Sequence, residues 1–206
     1  MENFQDIKIK ASEGNSNAQN HLGIMYTSGE GVTQSYFEAA KWYRLAADQG
    51  YVLSQANLAF FYLEGLGVEQ SNFEAAKWYR LAADQGNAGA QNHLGDMFRK
   101  GLGVTQSYSE AGKWYILAAD QGHAESQGMV GALYMEGKGV MQNKTEGFKY
   151  FKLAADQGDA DSQYNLGVMY LEGFGVEQSN SEAVKYFKLA ADQGHVAAQY
   201  NLEEYF

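Results

Sequence analysis

The chain contains no cysteine and no proline. Without cysteine it has neither disulfides nor thiolate metal sites, and its fold is indifferent to the redox state of its compartment. Without proline, where average usage gives about 10 in a chain of this length, some other residue must end the helices and shape the turns. Positive charge is scarce too: 15 Lys and Arg against 25 Asp and Glu leave a formal net charge of -10 at pH 7. Such a surface repels phosphate backbones, and no run of Lys or Arg offsets it, which argues against nucleic acid and anionic membranes as partners. No apolar run reaches the ~18 residues of a membrane span, and residues 1–10 lack the apolar stretch of a secretion signal. The chain as it stands is therefore expected to be soluble and cytoplasmic.

Glycine supplies the punctuation that proline does not: there are 24. Their spacing exposes the organising feature, the hexapeptide Leu-Ala-Ala-Asp-Gln-Gly, which begins at Leu45, Leu81, Leu117, Leu153 and Leu189, always 36 residues apart. A fixed period of this length marks a repeat architecture in which each unit stacks on its neighbours. Full units fall at 15–50, 51–86, 87–122, 123–158 and 159–194, with half units at 1–14 and 195–206, and we read 1–206 as one solenoid domain. No linker or charge block interrupts it.

Each unit carries two helical patterns. Helix A, typified by 52–64, shows Ser54, Leu58 and Tyr62 with Phe61 alongside on one stripe, and helix B, typified by 72–84, carries Phe73, Ala76, Trp78, Leu81 and Ala82. The pairs Ser35/Glu38, Ser71/Glu74, Ser107/Glu110, Asn143/Glu146 and Ser179/Glu182 have the spacing of a capping box at the start of helix B. Glycines at 50, 86, 122, 158 and 194 mark its end, where a left-handed residue is needed. Inside helix A, Gly23, Gly95, Gly131 and Gly167, with Ala59 in the same phase, each cost ~1 kcal/mol relative to alanine. The expected compensation is close approach of a helix B backbone at Ala46, Ala47 and their equivalents. The pattern predicts 11 principal helices besides the chain ends. In that small-residue phase the last position is Glu203, which suits a terminal half unit.

Ala18, Leu22, Gly23, Tyr26, Gly29, Gly31 and Val32, followed by Ala39, Lys41, Trp42, Tyr43, Ala46, Ala47 and Gly50, together resemble the Sel-one-like repeat (SLR), a relative of the tetratricopeptide repeat with a longer turn. The resemblance covers essentially the whole chain. It implies an all-α, right-handed α/α superhelical solenoid of 36-residue helix-turn-helix repeats that acts as an adaptor in macromolecular assemblies, often bacterial. Some cysteine-rich relatives are described as binding penicillin-type compounds or hydrolysing β-lactams, but this chain lacks their helix-linking cysteines.

No residue set calls for catalysis or a cofactor. Glu38, Glu74, Glu110, Glu146 and Glu182 recur at capping spacing, and Lys41, Lys77, Lys113, Lys149 and Lys185 stand three residues on, placed to pair with them for a few tenths of a kcal/mol each. Gln19, Gln55, Gln91, Gln127, Gln163 and Gln199 hold one phase on helix A, as an inter-repeat hydrogen-bond ladder or a polar ligand ladder. His21 and His93, and likewise His123 and His195, recur two units apart, on the order of 20 Å at helix spacing, too far to share a metal ion. Trp42, Trp78 and Trp114, with Tyr150 and Tyr186 in phase, read as core wedges rather than a ligand-stacking ladder. The Gly-x-Gly-Val turns follow no strand and carry no dinucleotide signal.

Comparing units within the chain separates phases held constant from phases left free. The free ones on helix A are those of 53, 56, 57, 60 and 63, one helical face, which in the SLR family lines the concave side. It bears Asn17, Asn20, His21, Ile24 and Thr27, then Leu53, Ala56, Asn57, Phe60 and Leu63. It continues with Asn92, His93, Asp96 and Arg99, then Met129, Ala132 and Met135, then Tyr164, Asn165, Val168 and Leu171, and ends on Tyr200 and Asn201. So many large apolar groups on a variable face point to partner contact. The expected function is a non-enzymatic protein-interaction scaffold, monomeric or weakly self-associating, holding a protein or peptide through Leu53, Asn57, Phe60, Leu63, His93, Asp96, Arg99, Met129, Met135, Tyr164, Asn165, Val168 and Leu171. Two readings stand beside it: an inhibitor or immunity protein neutralising a partner protein, and a cell-wall ligand binder or hydrolase like the cysteine-rich relatives.

Overall fold

A computed structural model describes residues 4–205, and every regular element in them is an α-helix. The chain forms two compact units, 1–106 and 107–206. The first contains α1 (Phe4–Ser12), α2 (Ser16–Ser28), α3 (Tyr36–Asp48), α4 (Val52–Glu64), α5 (Asn72–Asp84) and α6 (Ala88–Lys100). The second contains α7 (Tyr108–Asp120), α8 (Ala124–Glu136), α9 (Lys144–Asp156), α10 (Ala160–Glu172), α11 (Asn180–Asp192) and α12 (Val196–Tyr205). Even-numbered helices are the A helices and odd-numbered ones the B helices. Within each unit successive helices pack in chain order, so the fold is of the α/α solenoid class, built of 36-residue helix-turn-helix repeats. Twelve helices are described where 11 were expected besides the ends: two in each of the five full units and one in each half unit. The start of the first half unit, 1–3, and Phe206 lie outside the described residues. No helix of the described residues is long and apolar enough to cross a membrane.

The capping pattern is half of what its spacing suggests. Each B helix from α3 to α11 is N-capped by the side chain of Ser35, Ser71, Ser107, Asn143 or Ser179, which accepts from the amide three residues on. The glutamate does not reach back. The Ser35, Ser71, Asn143 and Ser179 amides donate instead to the carbonyls of Tyr26, Tyr62, Tyr134 and Tyr170 at 2.8–2.9 Å. Glu38 is thus left to Lys41 (2.8 Å), and the same i,i+3 pair forms in every repeat, down to Lys185 and Glu182 at 3.0 Å. These pairs are exposed and contribute little.

The helix A glycines make room for a ring rather than a backbone. A Cβ on Gly23 would lie 2.4 Å from Tyr43, and one on Gly167 would lie 2.5 Å from Phe187. The expected seam against Ala46 and Ala47 is therefore replaced by an aromatic column one position past the tryptophans: Tyr43, Tyr79, Tyr115, Phe151 and Phe187 are all buried. The tryptophan phase itself is mixed, with Trp78 and Tyr186 buried and Trp42, Trp114 and Tyr150 half-buried. A second glycine requirement sits in the turns. Gly67 has φ +65°, and a Cβ there would meet the Tyr36 carbonyl at 2.3 Å, so the turn of one repeat closes onto the start of the preceding helix B.

The glutamine phase is the inter-repeat ladder. Gln55 donates to the Ala47 carbonyl of the preceding repeat at 3.2 Å and accepts from Gln85 at 2.7 Å, and Gln163 does the same with Ala155 and Gln193. A ladder already satisfied within the chain holds the repeats in register.

Candidate functional site

The A helices of neighbouring repeats leave a shallow groove between them, floored by the ring of the intervening B helix. In the first unit the groove between α4 and α6 is a cavity of about 230 Å³, with Ala56, Asn57 and Phe60 on one wall, Tyr79 below and Ala90 and His93 opposite. In the second unit the groove between α8 and α10 is a cavity of about 180 Å³, with Gly128, Met129 and Ala132 on one wall, Phe151 below and Ser162 and Asn165 opposite. Each of these positions in the first groove recurs two repeats, 72 residues, later in the second. The architecture therefore builds one site twice, with different side chains.

What opens or closes the groove is the residue in the phase of Ala56. Between α2 and α4 that residue is Asn20, which is buried and accepts from the Ser54 hydroxyl at 2.9 Å. Between α10 and α12 it is Tyr164, whose ring stacks on His195 at 4.5 Å and packs against Phe187. Small residues at Ala56 and Gly128 leave the space empty. Placing Asn20 and Asn92 on the free face from sequence is thus corrected: both are buried.

None of the 13 residues expected to bind a partner is buried, and the grooves bring some of them together. Asn57, Phe60 and His93 share the first groove. Met129 and Asn165 share the second, which continues into an apolar cavity of about 340 Å³ between Met135, Val168 and Phe174. Leu53 is 52% exposed and Phe60 43%, the two most open apolar groups of the set. Asp96 and Arg99 form an i,i+3 pair at 2.8 Å on α6. Tyr164 and Leu171 do not line either groove; they pack against the cluster around Ala183, Phe187 and Ala198. Met135 lies over Gly147 of α9, where a Cβ would meet its Cγ at 2.9 Å.

The groove floors are aromatic rings, Tyr79 in the first unit and Phe151 in the second. Burial, with a smaller contribution from the Glu64 charge, pushes the Tyr79 hydroxyl far above its ordinary range, so it stays protonated. The ring of His93 stacks on Tyr79 at 4.9 Å. His123 and His195 are helix caps, each ring nitrogen facing the amide three residues on at 3.3 and 3.2 Å. Among the described residues no three potential metal ligands cluster.

Sequence reasoning missed Tyr79, Phe151, Gly128 and Ser162 as groove residues. Gly128 carried a signal, since it breaks a phase that otherwise holds Asn20, Ala56, Asn92, Tyr164 and Tyr200. The B-helix surface was also misjudged. Phe73 is 66% exposed and the leucine of every Leu-Ala-Ala-Asp-Gln-Gly unit is about half exposed, so neither belongs to the core. Phe73, Leu81, Lys77 and Arg80 instead border a surface cavity of about 340 Å³ that reaches the turn at Gly103 and Val104.

The chain is similar over about nine-tenths of its length to solved proteins. It is 38% identical, with a TM-score of 0.92 over 95% of its length, to c5321 of uropathogenic Escherichia coli, a protective antigen displaying an SLR fold, and it spans 42% of that protein. It is 34% identical, with a TM-score of 0.84 over 90% of its length, to a Sel1 repeat protein from Oxalobacter formigenes, of which it spans 74%. Immunity protein Pa5087 from Pseudomonas aeruginosa, 24% identical over 89% of this chain and 67% of that one, shares the fold with a TM-score of 0.53. No curated protein matches the chain. The Sel1 repeat model matches five times in succession, at 16–51, 52–87, 88–123, 124–159 and 160–195, and with these five repeats, their capping pattern and the two relatives above 30% identity, the chain belongs to the Sel1 repeat family.

Proposed function

We propose that this protein is a non-enzymatic interaction scaffold that holds a protein or peptide partner on the A-helix face of its repeats. Sel1 repeat proteins are protein-interaction scaffolds. The observation that carries the reading here is the same groove built two repeats apart, with framework positions held and lining positions varied. A framework under packing constraint explains the constant glycines, glutamines and rings. It does not explain an exposed Leu53, nor an exposed Phe60 on the wall of an open cavity, whereas apolar anchors at a partner surface do.

Catalysis finds no support in the recurring carboxylates, because Glu38 and its equivalents are engaged by lysines on exposed helix surface. The likeness to the Pseudomonas immunity protein extends to the fold and does not favour the inhibitor reading over a general scaffold.

The test is affinity capture of native partners by the wild-type chain and by the double variant Leu53→Glu/Phe60→Glu, with circular dichroism melts of both. A partner retained by the wild type and lost by a variant of unchanged melting temperature supports the A-helix face. Equal capture by both would move the interaction elsewhere.

A further inference from the structure

The α8/α10 groove has a feature that packing does not account for. In the α8/α10 groove, Ser162 occupies the position of Ser54, and its side chain is buried, with the residue only 1% exposed. Ser54 donates its hydroxyl to Asn20 of the neighbouring A helix, but the position equivalent to Asn20 is Gly128, and the Ser162 Oγ has no hydrogen-bond partner. A Cβ on Gly128 would stand 3.0 Å from that oxygen. The hydroxyl thus faces a notch from which a polar side chain is missing, and an unmade buried hydrogen bond is a cost that a ligand can remove.

Carboxylates border the notch. Asp159 Oδ2 lies 3.6 Å from the same point on Gly128 and accepts from the Ser162 amide at 2.8 Å. Asp161 is 86% exposed, with His195 Nε2 at 3.3 Å. Glu125 borders the polar cavity and Glu136 the apolar one, and no Lys or Arg lines either. The two cavities share Ala132, Phe151 and Asn165, so the polar notch opens directly onto an apolar floor. The described residues hold no cluster of three metal ligands, which favours an organic cation over a metal ion.

We propose that the α8/α10 groove binds a basic and apolar segment of a partner protein, with a Lys or Arg side chain donating to the Ser162 hydroxyl and the Asp159 and Asp161 carboxylates while a neighbouring apolar side chain covers Phe151. This inference rests on the scaffold reading and adds the chemistry of the partner. The groove between α4 and α6 is floored by the unpartnered Tyr79 hydroxyl, but it has Asn87, Gly89 and Ala90 where this one has Asp159, Asp161 and Ser162, so it lacks the carboxylates that would hold a cation.

The probes are two amidated pentapeptides, Gly-Arg-Leu-Leu-Gly and Gly-Glu-Leu-Leu-Gly, titrated into the full ¹⁵N-labelled chain and followed by two-dimensional NMR. The Arg peptide is expected to shift the amides of Gly128, Met129 and Ser162 with a Kd about tenfold below that of the Glu peptide. The variant Asp159→Asn/Asp161→Asn keeps an N-cap residue and is expected to abolish that preference. Gly128→Asn, which restores the Asn20 arrangement, is expected to raise the Kd of the Arg peptide about fivefold or more while the rest of the spectrum persists. Equal shifts in the groove with both peptides would overturn the cation preference and leave the scaffold reading standing. Shifts confined to other surfaces, or no shift in the α8/α10 groove with either peptide, would overturn this site and leave the scaffold reading to the capture experiment.

Discussion

At Gly67 and Gly50 the same residue type is required for different reasons, and substitution separates them. Both have positive φ, but nothing lies within 4 Å of a Cβ on Gly50, whereas one on Gly67 meets the Tyr36 backbone at 2.3 Å. Gly50→Ala is expected to cost about 1 to 2 kcal/mol, the penalty of the left-handed conformation alone. Gly67→Ala adds a backbone collision and should cost clearly more, so urea midpoints of the two variants that coincide would contradict the close approach. Ser71→Ala removes an N-cap and should cost about 0.5 to 2 kcal/mol. Ser162→Ala, which deletes an unpartnered hydroxyl from a buried site, should leave stability unchanged or raised. Legibility at this scale was uneven. Cap serines and turn glycines announce themselves, because capping is local chemistry within four residues. The partner of a cap glutamate does not, since the Ser35 amide is taken by Tyr26 across the turn.

Among elements, the ladder glutamines and the groove residues make opposite predictions. Gln55 is buried and bonded on both sides, to Ala47 and to Gln85. Gln55→Leu should therefore destabilise by roughly 1 to 3 kcal/mol through the groups it orphans, as read in denaturant melts. Phe60 is largely open at the rim of the α4/α6 groove, so Phe60→Ala should leave the melt nearly unchanged and cost about 1 to 2 kcal/mol of affinity for a partner on that face, read by calorimetry. Charged substitutions at Met135 and Leu171 are poor tests of binding. Both side chains pack against core clusters and would report stability instead. The periodic pattern marked the A-helix face as a set of varying positions, yet it could not divide them into groove, rim and core. That division depends on whether the residue in the phase of Ala56 is large enough to fill the space beside the next A helix.

The whole molecule carries its buried tyrosines as a pH limit. Burial raises the hydroxyls of Tyr43 and Tyr79 above their ordinary value of 10.0. A raised value for an acid means that folding favours the neutral form. Their contribution is complete below pH 10 and falls as the unfolded chain ionises above it. Melting temperature should accordingly decline as pH rises beyond about 10, and tyrosinate absorbance should appear for these two only as the protein unfolds. Early ionisation of all tyrosines in the folded state would contradict the burial. The sequence by itself determined the helical class, the 36-residue period, the caps and the family, because each depends on local propensity and spacing that repeats without interruption. Only the tertiary structure decided that rings rather than backbones fill the glycine seams, that the repeated leucines stay half exposed, and that Gly128 opens a notch over Ser162. Those outcomes are set by which side chains meet between neighbouring helices, a matter of volume and contact across 20 to 36 residues that no local pattern encodes.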